Sequence, residues 1–305
     1  MNKLTRILTI FCIVLLSGVL INAKFNPTNE EVSDKLTEEK SDDTYKIRAL
    51  KIPDGVNFAG ELVPIDIPDI RERMDRELLV NTYWQSNSLL MMKRAHKYFP
   101  IIEPILKKNG IPDDFKYLAL IESGFLQVTS HAGARGFWQI MKGTAKENGL
   151  EVNSNVDERY HIEMSTEVAC IYLKKAYERF DSWTLAAAAY NGGNYGMARR
   201  LKSQRVDNYY DLLLGQETGR YVFRIVAVKE ILKNPQNFGF KYDQEDLYQL
   251  EKTKLVKVDT AITDIALFAK NFGTNYKELK IHNPWLRENH LNNKSRKLYH
   301  IKLPE

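Results

Sequence analysis

Cysteine is almost missing from this 305-residue chain: Cys12 and Cys170 are the two it has. One lies in an apolar leader and the other inside a helical pattern, so neither a disulfide framework nor a cysteine metal site can be built from them. Histidine is scarce too, and His282, His290 and His300 lack metal-ligand spacing. No uninterrupted apolar run reaches the ~20 residues of a spanning helix. The run over 7–21 follows Lys3 and Arg6 and ends at Ile21-Asn22-Ala23, which reads as a signal peptide or short anchor over 1–23 and implies export. Cys12 does not follow a Leu-small-small triplet, which excludes a lipoprotein acceptor. Charge imbalance is also small. The formal net charge of +5 includes two leader cations, so it argues for no nucleic acid and suits an anionic envelope surface.

What is present is a globular composition, 44% hydrophobic and 27% charged, with length for one good core and a second, smaller domain. Residues 24–44 are acidic and lack apolar periodicity, the pattern of a solvated tether. Residues 45–69 carry Pro53, Gly55, Gly60, Pro64 and Pro68, which suits an extended segment laid over a domain surface. Helical periodicity then predicts helices over 71–79 and 82–98. A further helix is expected to start at Phe99-Pro100 and run to residue 108, before the Gly110-Ile111-Pro112 break. Asp113 is the expected cap of the next helix.

That helix places a carboxylate where the apolar pattern calls for a leucine. Around Glu122, the positions three, four and seven residues away are Phe115, Leu118, Ala119, Phe125 and Leu126, so the acid lies on the apolar face. A carboxylic acid in low dielectric resists ionisation and stays able to donate a proton near neutrality. The alternative is a Glu that reaches solvent at a helix end set by Ser123-Gly124.

The segment Ser130-His131-Ala132-Gly133-Ala134-Arg135-Gly136-Phe137-Trp138-Gln139-Ile140 is a glycine-punctuated loop with an aromatic pair beside an amide. Such a loop suits a sugar, with a ring for its apolar face and an amide for its polar groups; an ordinary loop with Trp138 in the core is equally consistent. Residues 163–180 form a helix whose expected inner stripe is Met164, Val168, Ile171, Tyr172 and Ala176. Ser182 caps a small-residue helix whose four alanines permit close packing and bring Tyr190 and Asn191 to a buried end. Here a phenol can reach a carboxylate and an amide a ligand, or Asn191-Gly192-Gly193 is simply a helix stop. Glu217-Thr218-Gly219-Arg220-Tyr221-Val222 opens a helix to about residue 233, closed by Asn234-Pro235.

Glu122-Ser123, Gly136-Phe137-Trp138-Gln139-Ile140, Ala189-Tyr190-Asn191-Gly192-Gly193 and Glu217-Thr218-Gly219-Arg220-Tyr221-Val222 stand in the order and rough spacing of four motifs. Together they resemble the lytic murein transglycosylases of glycoside hydrolase family 23, of the membrane-bound D type, over about residues 58–240. The resemblance implies a mainly α, lysozyme-like domain over 45–243 with a long glycan groove, and no cofactor or metal. It implies that Glu122 protonates the bond between N-acetylmuramic acid and N-acetylglucosamine. The same residue would then act as base for the muramic C6 hydroxyl, giving 1,6-anhydro ends. Tyr190 would orient the acid and assist at the reacting centre. Ser123, Ser130, Trp138, Gln139, Asn191 and Tyr221 would hold the saccharide. His131 and Phe137-Trp138 depart from the family's usual proline and Leu-Met, which touches the sugar contacts and not the acid. No second acid lies in the motifs close to Glu122, as a two-carboxylate mechanism would need. Asp157, Glu163 and Glu217 are the candidates for a more distant one.

Beyond residue 250 the pattern becomes strand, helix, helix, strand: 255–258, 262–272, 276–282 and 297–303. This βααβ order over 252–305 resembles a LysM module, a binder of N-acetylglucosamine chains. Its lysines add attraction to an anionic surface, and a module that only packs on the catalytic domain is the other reading. The expected partners are peptidoglycan strands and, through the N-terminus, the membrane. The rival functions are a goose-type muramidase, with water as nucleophile, and a non-catalytic peptidoglycan-binding protein.

Overall fold

A computed structural model of the chain describes residues 47–305; the expected leader and acidic tether lie outside the described residues. Proline and glycine keep the chain irregular up to Ile67, apart from a two-residue hairpin, β1 (Asn57–Phe58) with β2 (Glu61–Leu62). The hairpin also caps a helix. The Glu61 carboxylate accepts from the Ser182 hydroxyl (2.8 Å) and from the backbone N–H groups of Trp183 (2.6 Å) and Thr184 (2.9 Å). The two N–H groups are donors that a helix N-terminus leaves without intrahelical partners.

α1 (Pro68–Tyr83) starts at a proline, whose missing N–H costs nothing there, and buries Ile70, Met74 and Leu78 at four-residue spacing. α2 runs unbroken from Gln85 to Lys108 with Pro100 and Pro104 inside it. The helix expected to begin at Phe99-Pro100 is therefore the second half of one longer helix. The buried stripe Met91, Met92, Ala95, Ile102 and Leu106 crosses the prolines, and tertiary burial outweighs the lost ladder bonds. The real break is Trp84, between α1 and α2.

α3 (Phe115–Ser123) carries Glu122. Its N-cap residue is Asp114 and not the expected Asp113. Asp113 pairs with Lys116, while the Asp114 carboxylate is taken by Lys229 Nζ (2.5 Å) and Ala59 N (2.7 Å), so no side chain caps this helix. Gly124 ends it at φ +58, in the left-handed region that glycine enters without strain. The helix thus stops before Phe125 and Leu126; Phe125 is buried and Leu126 exposed.

After α4 (Lys142–Glu147) and a 3-10 turn (Glu158–Tyr160), α5 (Ile162–Phe180) buries Val168, Ala169, Cys170, Leu173 and Ala176. Ile171, expected on the inner stripe, faces out. α6 (Trp183–Gly192) lies inside the fold with Ala186, Ala187, Ala188 and Ala189 fully buried, and Tyr172 OH donates to the Ala189 carbonyl (3.0 Å). α7 (Asn194–Gln204) and α8 (Gln216–Lys233) complete the helical part, α8 being buried along most of its length and packed on α1, α3 and α6.

The C-terminal part pairs β3 (Thr253–Val258) antiparallel with β4 (Tyr299–Pro304), Lys254 opposite Leu303 and Val256 opposite Ile301. Between them stand α9 (Ile265–Asn271), capped by Asp264, and α10 (Tyr276–His282), capped by Asn275. The expected βααβ order is present. Its small core, which includes Ile265, Leu279, Leu286 and Ile301, also contains Val156 and Tyr160 from the helical part. Accordingly residues 49–305 form one compact unit. Among the described residues no helix is long and apolar enough to cross a membrane.

Candidate active site

The site forms where the C-terminal end of α3 meets the second turn of α8. Tyr221 OH donates a hydrogen bond to Glu122 Oε1. The Tyr221 ring is buried and Arg224, one turn on, lies 5.9 Å from its centre. α1 helps to hold this turn in place. The buried Glu77 carboxylate accepts from Arg220 Nε (2.6 Å) and from Arg76 (2.6 Å), so the residue just before Tyr221 is fixed to another helix.

Burial raises the pKa of Glu122 above the ordinary carboxylate value of 4.5, and the nearby charge of Glu217 pushes the same way. The Tyr221 hydrogen bond and Arg224 oppose that rise without cancelling it. Burial also drives the phenols of Tyr221 and Tyr190 well above 10, and the negative charge of Glu122 adds to both shifts. Both phenols therefore stay protonated as donors. The result is an acid with one oxygen held by a phenol and the other left for proton transfer.

The loop between α3 and α4 closes on this acid through its backbone. Ser123 Oγ donates to the Phe137 carbonyl (2.9 Å) and accepts from Phe125 N (3.1 Å). Tyr190 OH donates to the Trp138 carbonyl (2.7 Å). Of the two phenols, the one expected to orient the acid therefore holds the loop, and the one expected to hold sugar holds the acid. Trp138, expected on the saccharide, is fully buried and donates its indole N–H to Thr166 Oγ1 (2.8 Å); its ring plugs the core. Gln139 sits at φ +46, and its amide donates to the Gly136 carbonyl (2.8 Å). Ser130 is exposed, and its hydroxyl accepts from Ala134 N (3.0 Å). Asn191 donates to Glu217 Oε1 (3.1 Å) and accepts from Thr218 Oγ1 (2.8 Å), which joins the end of α6 to the start of α8.

Of the three acids weighed as a second carboxylate, Glu217 is the one whose charge reaches Glu122. Asp157 is held by Arg159 and Arg135, and Glu163 pairs with Lys302 and His161. Burial opposes these pairings, yet they pull Asp157 below its usual range and Glu163 down to about 2. Neither is poised for proton transfer near neutrality. Glu251, Glu278 and His282 bring one donor atom each within 4.8 Å of one another. Glu278 and His282 are four apart on α10, a spacing visible in the sequence that a search among histidines alone passes over. Glu251 already pairs with Lys97 (3.6 Å) and His282 (3.2 Å), while Glu122 is held by Tyr221.

Comparison with known proteins bears on this arrangement. Residues 99–212, which include Glu122, Gln139, Tyr190 and Asn191, match the family described as transglycosylase SLT domain. The chain carries an SLT domain. Residues 254–305 match the soluble lytic transglycosylase C-terminal LysM-like domain, so the βααβ module is of that kind. The chain is homologous to membrane-bound lytic murein transglycosylase D of Escherichia coli (strain K12), with 30% identity over 236 residues, 74% of this chain and 50% of that protein. It thus spans half the length of that relative. It is similar as well to membrane-bound lytic murein transglycosylase F of Desulfosudis oleivorans, 27% identical over 46% of this chain and 37% of that one. A solved structure of an inactive mutant of the lytic transglycosylase Slt from Pseudomonas aeruginosa aligns at 21% identity and a TM-score of 0.39, over 51% of this chain and 27% of that one.

Proposed function

We propose that this protein is a peptidoglycan lytic transglycosylase in which Glu122 serves as acid and then as base. The observation that carries this reading is a carboxylate with a raised pKa, held on one oxygen by a phenol that stays protonated. Protonated Glu122 gives its proton to the glycosidic oxygen between N-acetylmuramic acid and N-acetylglucosamine, and the C1–O bond breaks. The carboxylate so formed is stabilised by the Tyr221 hydrogen bond and by Arg224. It then accepts the proton of the muramic C6 hydroxyl as that oxygen bonds to C1. Atoms balance without water, and the product carries a 1,6-anhydro ring.

In this reading Tyr221 is a positioning residue for the acid, Tyr190 positions the loop, and Ser130, Gln139 and Asn191 face the saccharide. The LysM-like module adds glycan affinity, helped by Lys254, Lys257, Lys270 and Lys277. The chemistry needs no metal or organic cofactor. Its place is the cell envelope, reached by export and with the N-terminus at the membrane.

Glu217 favours one rival. An exposed carboxylate electrostatically coupled to Glu122 is where a muramidase would keep the base that activates water. Digestion of purified peptidoglycan in ¹⁸O-labelled water separates the two. The transglycosylase leaves the muramic end unlabelled, and Glu217→Gln retains most of the turnover. A muramidase labels that end and loses turnover in Glu217→Gln. Binding of glycan without any product would leave the protein a non-catalytic binder.

A further inference from the structure

The junction between module and helical part runs through the turn Asp157-Glu158-Arg159, and its side chains point two ways. Glu158 faces the module. Its carboxylate accepts from Lys297 Nζ (2.6 Å) and from Glu151 N (2.7 Å), while Glu151 accepts from Lys297 (2.9 Å) and Tyr299 OH (2.8 Å). Backbone pairing adds to this: Asp157 N donates to the Trp285 carbonyl and Arg287 N to the Asn155 carbonyl, each 2.9 Å.

Asp157 and Arg159 face the loop that closes the active site. Arg159 is buried; it forks onto Asp157 (2.9 and 2.8 Å) and donates to the carbonyls of Gly133 (3.0 Å) and Ile140 (3.3 Å). Arg135 completes the cage on Asp157 at 3.0 Å. The Arg159 carbonyl packs so tightly on Gly136 that a Cβ there would stand 2.0 Å from it. Tyr160 is clamped from both sides, with the Arg287 guanidinium 4.3 Å from its ring centre and its hydroxyl 3.1 Å from Thr129 Oγ1. The same loop supplies the carbonyls that Ser123 and Tyr190 hold.

We propose that the C-terminal module is a fixed support of the active-site loop, and that Lys297 and Tyr299 act through Glu151 and the Asp157-Glu158-Arg159 turn as positioning residues for Gly133–Ile140. The proposal rests on the transglycosylase reading for its catalytic consequence, though not for its structural one. A rigid hydrogen-bonded turn shared by two surfaces transmits displacement because each partner has one packed arrangement and no soft alternative. Glycan affinity of the module is a separate property and is not required.

The test uses the full chain and compares wild type with Lys297→Ala, Lys297→Arg, Tyr299→Phe and Lys302→Ala. Lys302 bridges the module to Glu163 at the start of α5 and does not touch the turn, so its variant controls for general loosening. Hydrogen exchange followed by mass spectrometry reads residues 128–140, and steady-state kinetics on a soluble glycan reads kcat and KM. Exchange over 133–140 is expected to quicken about tenfold in Lys297→Ala and less in Tyr299→Phe, with Lys297→Arg and Lys302→Ala near wild type. kcat/KM is expected to fall about tenfold in Lys297→Ala and to recover in Lys297→Arg. Unchanged loop exchange in both Lys297→Ala and Tyr299→Phe overturns the proposal, as does an equal change in Lys302→Ala. Should Lys297→Ala fail to fold, Tyr299→Phe decides alone by the same criterion. A wild type inactive on glycan whose loop still responds to Lys297→Ala refutes the transglycosylase reading and leaves the coupling in place.

Discussion

Tyr221 and Glu122, 99 residues apart in the chain, are joined by a hydrogen bond from phenol to carboxylate. That bond stabilises the ionised acid, so its removal raises the Glu122 pKa further. Tyr221→Phe is expected to lower kcat about 10- to 100-fold. It should also move the high-pH limb of kcat/KM, where the acid loses its proton, to higher pH. Paired pH–rate profiles check both. A limb moving to lower pH would mean that Tyr221 is not what holds the carboxylate.

Glu122 has a stability signature as well. Its folded pKa is raised above 4.5, so the native state binds more protons than the unfolded one above that pH. Wild type therefore loses stability as pH rises from about 4.5 through the raised value. Glu122→Gln carries no such term. Denaturant titrations should show the variant gaining on wild type as pH goes from 4.5 to 7, with the difference constant below that range, while its turnover falls at least about 10³-fold.

Gly136 stands at φ +77 with the Arg159 carbonyl where a Cβ would go. Gly136→Ala is expected to cost about 3 kcal/mol or more of stability, since both the backbone angle and the packing oppose it. Urea unfolding monitored by circular dichroism measures this. A cost under about 1 kcal/mol would mean that the loop can move away from Arg159.

Glu163, at the start of α5, pairs with Lys302 of the module and with His161, and these pairings bring its pKa down to about 2 against the opposing effect of burial. A depressed carboxylate contributes stability that is complete above its unfolded value and lost as pH falls through the folded one. The junction should weaken between about pH 4.5 and 2. Glu163→Gln should flatten that part of an acid titration followed by the fluorescence of Trp285, which stacks on Tyr299 across 5.4 Å.

Much of this arrangement was legible in the sequence. The apolar neighbours of Glu122 announce a poised acid, the alanine run announces a buried helix, and alternating then helical periodicity gives the βααβ module. The two phenols were harder to assign. Tyr190 and Tyr221 both sit at helix ends, and only the way α6 and α8 pass α3 decides which of them reaches the carboxylate. Trp138 was ambiguous for a similar reason, since one residue of a tight loop can face groove or core, and Thr166, 28 residues on, provides the partner that draws it inward. Pro100 looked like a helix start because local rules put proline there; the buried stripe of α2 overrode them. The charged run Asp157-Glu158-Arg159 offered only Asp157, as a candidate second carboxylate. Its place at the junction was not readable, because the run lies within the helical part and the module that covers it comes about a hundred residues later.

The central claim is that Glu122 transfers both protons of a reaction that uses no water. Mass spectrometry of the muropeptides that the full chain and its Glu122→Gln variant release from purified peptidoglycan tests it most directly. Wild type should release products lighter by one water than reducing muropeptides, and the variant should release essentially none. Reducing-end products from wild type, or anhydro products from the variant at a wild-type rate, would contradict it.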